Sequence, residues 1–175
     1  MPTTSTQTRK STATRSAAAR TPDAIKLLTQ DHKDVKALFK EYEKLVKAEA
    51  DDSQKQALAE QICEMLSVHA QIEEELVYPA AYDVMADEAD LVDEAQVEHA
   101  SAKDLIAQIR GMQPSDDLYD AKVTVLGEYV EHHVKEEEKE MFPKLKKTEL
   151  DLKELGASLQ ARKSELMGEE APKAH

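Results

Sequence analysis

The chain has no tryptophan, only two phenylalanines, four glycines and one cysteine in 175 residues. A single cysteine cannot close an internal disulfide, so nothing here calls for an oxidising compartment, and Cys63 falls in a helical pattern as a small core hydrophobe. Glycine scarcity, together with abundant Ala, Leu, Glu and Lys, favours long amphipathic helices over sheet. No apolar run approaches the ~18 residues of a membrane span, and no apolar segment suggests a secretory signal. Excess positive charge is missing as well: the net charge is −13, which argues against a nucleic-acid partner for the chain as a whole. The first twenty residues run the other way, with Arg9, Lys10, Arg15 and Arg20 and no acid. That Ser/Thr/Arg-rich opening matches either an organelle transit peptide or a solvated basic tail, and the tail needs no further support. A cytoplasmic location is the expectation.

What is present reads as helices. Residues 1–20 are expected to be a disordered tail, 21–147 a four-helix domain, and 148–175 an additional helix and tail. Thr21-Pro22-Asp23 marks a helix start with a capping hydroxyl and an early proline. Ile25, Leu28, His32, Val35, Phe39, Tyr42 and Val46 then recur at three- and four-residue steps. A second stripe holds Leu58, Ile62, Met65, Leu66, His69, Ile72, Glu73 and Leu76, and Pro79 is expected to end it. The third carries Leu91, Ala95, His99, Ala102, Leu105, Ile106 and Ile109 up to Gly111. The fourth carries Leu118, Val125, Leu126, Tyr129, His133, Glu137 and Met141, and is expected to stop at Pro143. Short connections between long helices predict an all-α, up-down-up-down four-helix bundle. From Thr148 to Met167 a more polar helix follows, able to cap its own bundle or dock on a neighbour.

One phrase is written twice. "HAQIEEELVYPA" from His69 and "HHVKEEEKEMFPKL" from His132 align His69 with His133, Glu73 with Glu137, Glu74 with Glu138, Tyr78 with Phe142, and Pro79 with Pro143. Upstream, "DHKDVKALF" lies against "EHASAKDLI", setting His32 on His99 and Lys36 on Lys103. The chain is therefore two helical hairpins of one design, each offering a lone histidine and then a His-x-x-x-Glu.

A residue and its i+4 neighbour share a helix face about 6 Å apart along the axis. Imidazole and carboxylate donors suit iron, manganese or zinc, and a carboxylate can bridge two ions. Six titratable groups on apolar stripes are costly in a core unless coordination satisfies them. A lone histidine on such a stripe is more often a hydrogen-bonded core residue, and Glu four residues after His is an ordinary solvated pair. Those readings explain one unit readily and the matched set poorly. Of the other histidines, His175 ends a tail and His132 points about 100° away from His133.

The ordered set His32, His69-x-x-x-Glu73, His99, His133-x-x-x-Glu137, each pair followed by Tyr-Pro or Phe-Pro, resembles the hemerythrin-like HHE cation-binding family over roughly 24–145. The resemblance implies a bundle around two non-haem irons with an oxo or hydroxo bridge, manganese being the alternative metal. It implies that His32 and His69 serve one ion, His99 and His133 the other, and that Glu73 and Glu137 bridge. It implies a small ligand: hydrogen peroxide, oxygen or nitric oxide. Oxygen carriers of the family have a further histidine where this chain has Lys103. That departure weakens reversible oxygen carriage and favours a nearly symmetric four-His, two-Glu centre decomposing peroxide in a catalase-like reaction. Binding, storage or sensing of oxygen, nitric oxide or iron is the alternative. Tyr129, one turn before His133, is expected in the core, and Glu74, Glu138, Glu136 and His132 stand near enough to support the ligands.

Overall fold

A computed structural model describes residues 21–168. The expectations for the basic opening and the extreme carboxy terminus fall outside those residues. Among the described residues there are seven α-helices: α1 (Ala24–Lys47), α2 (Asp52–Ile72), α3 (Tyr78–Val84), α4 (Ala89–Arg110), α5 (Tyr119–Glu136), α6 (Phe142–Leu145) and α7 (Leu152–Leu166). The four long ones close a ring, α1 on α2, α2 on α4, α4 on α5, and α5 back on α1. No strand occurs among the described residues, and no helix there is long and apolar enough to cross a membrane.

Asparates start three of the helices. Asp23 accepts the Lys26 N–H at 2.9 Å, so the cap of α1 is Asp23 rather than the hydroxyl of Thr21. Asp51 does the same for Gln54 at 2.9 Å, and Asp151 accepts from Lys153 and Glu154. Each such cap contributes about 1 kcal/mol by satisfying amides that the first turn leaves open.

The two prolines do not end their helices. Between α2 and α3 the chain makes one π turn, Glu73–Val77, and between α5 and α6 another, Glu137–Met141. The Tyr78 N–H reaches back to the Glu73 carbonyl, and the Phe142 N–H to that of Glu137, both five residues away. A proline ring inside an α-helix collides with the carbonyl four residues earlier. The widened turn removes that collision, so Pro79 and Pro143 ride through, and α3 continues to Val84.

Two apolar clusters fill the bundle. One gathers Ile25, Leu28, Ile72, Val77, Tyr78, Val92, Phe142 and Leu145; the other gathers Val35, Tyr42, Ile62, Cys63, Ile106, Ile109, Val123 and Leu126. Along every long helix the buried polar residues interrupt the passage from one cluster to the other: Asp31 and His32, His69 and Glu73, His99, His133 and Glu137. The Cys63 thiol is pushed up to about 11 by burial, in keeping with a packed hydrophobe.

The inward face of α5 differs from the expected stripe. Leu118, Val125 and Tyr129 are 59%, 36% and 49% exposed, while Tyr119, Val123, Leu126 and His133 are buried. Steps of four and three from Tyr119 through Val123, Leu126, Val130 and His133 to Glu137 define one face; the neighbouring apolar residues lie a step of rotation away. Val46 is likewise exposed, at the last turn of α1.

The last helix caps its own bundle. α7 packs on α1 and α2, with Leu159 fully buried, and Gly156 lies against the start of α1. A Cβ at Gly156 would stand 2.3 Å from the Pro22 carbonyl oxygen and 2.7 Å from the Ala24 nitrogen. Backbone cannot swing aside as a side chain can. Gly156→Ala is therefore expected to cost about 1–3 kcal/mol by overpacking, read as a lower urea midpoint. Unchanged stability would mean that α7 does not dock so closely.

Candidate metal centre

His32 and His69 enter from α1 and α2, His99 and His133 from α4 and α5, and all four are buried. Glu73 and Glu137 stand at the first residues of the two π turns, one turn past His69 and His133. The six side chains expected to act together do meet. Glu73 lies 3.2 Å from His69 Nε2 through Oε1 and 3.2 Å from His99 Nε2 through Oε2. Glu137 lies 3.3 Å from His133 Nε2 through Oε1 and 3.3 Å from His32 Nε2 through Oε2. Each carboxylate thus spans one histidine of each hairpin.

These contacts are poor hydrogen bonds. His32 Nε2, His69 Nε2, both oxygens of Glu73 and Oε2 of Glu137 are buried without a hydrogen-bond partner. Orphaned polar atoms in a core cost about 1–3 kcal/mol each. Donors bound at about 2.1 Å to one cation lie about 3.0–3.4 Å from each other, the spacing found here. The donors divide into two groups able to hold an ion, His32, His69, Glu73 and Glu137, and then Glu73, His99 and His133. On both counts the residues fit a pair of cations sharing carboxylates.

The far nitrogen of every imidazole is held by a carboxylate. Nδ1 of His32 is 2.9 Å from Glu138, that of His69 3.2 Å from Asp31, that of His99 3.0 Å from Glu74, and that of His133 2.7 Å from Glu98. Such contacts fix which nitrogen faces inward and raise its basicity. Glu74 and Glu138 were expected nearby. Asp31 and Glu98 were not, although each precedes a site histidine directly, in "DH" and "EH". Two of the four are backed by lysines: Lys103 Nζ sits 2.7 and 2.6 Å from the Glu74 oxygens, and Lys163 of α7 pairs with Asp31. Lys103 therefore serves a carboxylate, while Lys36 pairs loosely with Glu131 at 3.9 Å. Glu136 and the exposed His132 stand outside, next to Glu98.

The halves are not equal. Phe142 stacks on His32, whereas its counterpart Tyr78 brings a hydroxyl to 3.0 Å from His99 Nε2 and 3.2 Å from Glu137 Oε1. Sequence alignment paired these aromatics without revealing that the one extra oxygen points inward. Tyr129 is no core residue: it borders a cavity of about 40 Å³ beside the four histidines, whose walls include Val35, Met65, Leu66 and Ile106.

Electrostatics follow from the crowding. Burial pushes the His69 imidazole down, but Glu73, Asp31 and Glu137 reverse it and raise it to about 10. His133 is raised to about 11 against burial by Glu137, Glu98 and Glu73. Burial pushes Glu73 and Glu137 up, and Glu137 adds to this at Glu73, yet the adjoining imidazoles win and hold both below the ordinary range. Burial also opposes the charge on Asp31, and His69 and Lys163 more than offset it.

The hemerythrin HHE cation binding domain family matches residues 23–145. A DNA nickase from Nostoc sp. is 32% identical over 119 residues, covering 66% of this chain and 31% of that protein, so the chain spans about a third of the relative's length. The crystal structure of a hemerythrin HHE cation binding domain-containing protein from Mycobacterium kansasii matches with a TM-score of 0.69 at 26% identity. That match covers 84% of this chain and 88% of the other.

Metal-free protein should show a two-sided pH profile. The raised imidazoles stabilise fully below their ordinary value of 6.5, and the contribution is lost as pH rises through about 10 to 11. The lowered glutamates stabilise above their ordinary 4.5, and that contribution is lost as pH falls through their depressed values. Thermal midpoints of chelator-treated protein should therefore fall on both flanks. Loading with metal should flatten the alkaline flank, because coordinated imidazoles carry no proton to lose. An alkaline flank unchanged by loading would count against the arrangement.

Proposed function

The chain belongs to the hemerythrin HHE cation-binding domain family, and from that premise we propose that it holds two non-haem ions, iron with manganese as the alternative, and decomposes hydrogen peroxide. The observation that carries this reading is the convergence of four imidazoles on two buried carboxylates, three of whose four oxygens find no hydrogen-bond partner. His32 and His69 would hold one ion, His99 and His133 the other, with Glu73 and Glu137 shared between them. A redox-active pair supplies the exchange of two electrons by which two peroxide molecules become two waters and one dioxygen. The protein's part is placement and exclusion. Asp31, Glu74, Glu98 and Glu138 keep the four rings aimed inward, and the apolar clusters on either side keep bulk water away.

Size selects the ligand. A water needs about 10–15 Å³ of such space, so the cavity of about 40 Å³ has room for a molecule of two or three heavy atoms. The cavity also favours a second reading, uptake of an uncharged diatomic such as oxygen or nitric oxide, because mostly apolar side chains line it. Peroxide turnover would show as oxygen evolution; carriage would show as a reversible spectral change without it. Strand cleavage is not part of this proposal, since the acidic balance of the chain opposes approach of a phosphate backbone.

Tyr78 makes the ions unequal. Its hydroxyl is spaced from His99 Nε2 and Glu137 Oε1 as one ligand is from another, so it would serve as an additional donor to the second ion. Burial and the surrounding carboxylates push the free phenol far up, so it ionises only when a cation takes the proton's place. Ferric-loaded protein should show a visible phenolate-to-iron absorption that Tyr78→Phe abolishes while iron content stays at the wild-type level. Iron retained with an identical spectrum would remove Tyr78 from the ligand set. Glu73→Ala or Glu137→Ala should lose metal and lower the thermal midpoint of the loaded protein together, because binding energy is shared with folding. Full occupancy in either variant would refute the bridging role.

A further inference from the structure

A third group of donors lies outside the inner centre. His132 Nε2 is 3.3 Å from Glu98 Oε1 and 3.2 Å from Glu136 Oε1, and the three donors lie within 4.8 Å of one another. Those separations are again the edges expected between ligands of one cation, about 3.0–3.4 Å. His132 is mostly exposed and the carboxylates are partly so, which leaves further positions open to water.

The internal repeat says what this group is for. Asp31 and Glu98 are equivalent positions, each holding the Nδ1 of a site histidine with one oxygen. In the first hairpin the other oxygen of Asp31 meets the ammonium of Lys163, delivered by α7. There the positions matching His132 and Glu136 are Val68 and Ile72, both buried. α7 packs on α1 and α2, so in the second hairpin the other oxygen of Glu98 faces His132 and Glu136 instead. One half thus carries a fixed cation behind its supporting carboxylate. The other half carries a carboxylate, an imidazole and a second carboxylate set at coordination spacing.

We propose that Glu98, His132 and Glu136 form an outer site for a divalent first-row cation, which takes the place that Lys163 fills in the other hairpin. One imidazole and two carboxylates suit ferrous iron, manganese or zinc. With most of its shell supplied by water, the ion is held more weakly than the inner pair and exchanges readily. Glu98 is shared: Oε1 serves the outer ion while Oε2 holds His133 Nδ1 at 2.7 Å. Filling the outer site therefore draws charge from the carboxylate that orients His133, and the inner centre registers the metal available outside. The binding part of this inference stands without the proposed dinuclear centre; the coupling to His133 rests on it.

The test uses the full chain with its inner centre loaded with iron and freed of loose metal. Manganese(II) is titrated in, and free ion is followed by its electron paramagnetic resonance signal. Wild type should bind one further equivalent. His132→Ala and Glu136→Gln should each weaken that equivalent at least tenfold, with iron content, circular dichroism and thermal midpoint kept at wild-type values. Saturation should shift the absorption of the inner iron in wild type and not in His132→Ala. The difference between wild type and His132→Ala isolates the outer ion whatever fills the inner positions, so a failed dinuclear reading would show separately, in the iron count. Equal manganese binding by wild type and both variants overturns the site, and so does loss of inner iron in either variant. An outer ion that binds without shifting the iron absorption overturns the coupling.

Discussion

Two carboxylates with almost no exposure, set between two apolar clusters, are the demand the rest of the bundle answers. Removing an ionised carboxylate from water is costly enough that a group so placed either neutralises or finds compensating charge. Here the answer comes from both directions. Four imidazoles face Glu73 and Glu137 from the inside, and four more carboxylates hold those imidazoles from behind. The result is a polar slab across an oily bundle. A cation bound between those groups would therefore stabilise the fold along with the site.

The π turns are where the backbone meets that demand. A strict α-helix would have to choose between continuing and carrying a proline six residues after each glutamate. Opening the ladder by one residue at Glu73 and at Glu137 lets the helix continue. It also places Tyr78 and Phe142 over the histidine rings of the opposite and first helices. Bulges of this kind are frequent at functional sites for the same reason: they re-aim side chains without ending the element.

Duplication supplied the symmetry, and local differences broke it. A hydroxyl distinguishes Tyr78 from Phe142. A covering helix distinguishes Asp31, backed by Lys163, from Glu98, which faces His132 and Glu136. The two halves keep the same inner donors and differ in what stands behind them. Two otherwise similar positions therefore stand in different surroundings.

Local geometry is what the sequence determined by itself. Four long helices, the His-x-x-x-Glu spacing that puts both donors on one face, and the pairing of two hairpins all follow from a 3.6-residue turn and from repetition. So did the six residues that the structure brings together. Tertiary packing decided the rest. Which of two adjacent apolar residues on α5 turns inward depends on rotation against its neighbours, and Tyr129 and Val125 therefore went outward while Leu126 and Val130 went in. Pro79 reads as a terminator until the π turn before it is known. The carboxylate behind each histidine comes from another helix, and Lys163 reaches Asp31 across 132 residues of chain. Spacing along one helix constrains neighbours a turn apart; it carries no information about partners that meet only when separate helices dock, and those partners aim the ligands.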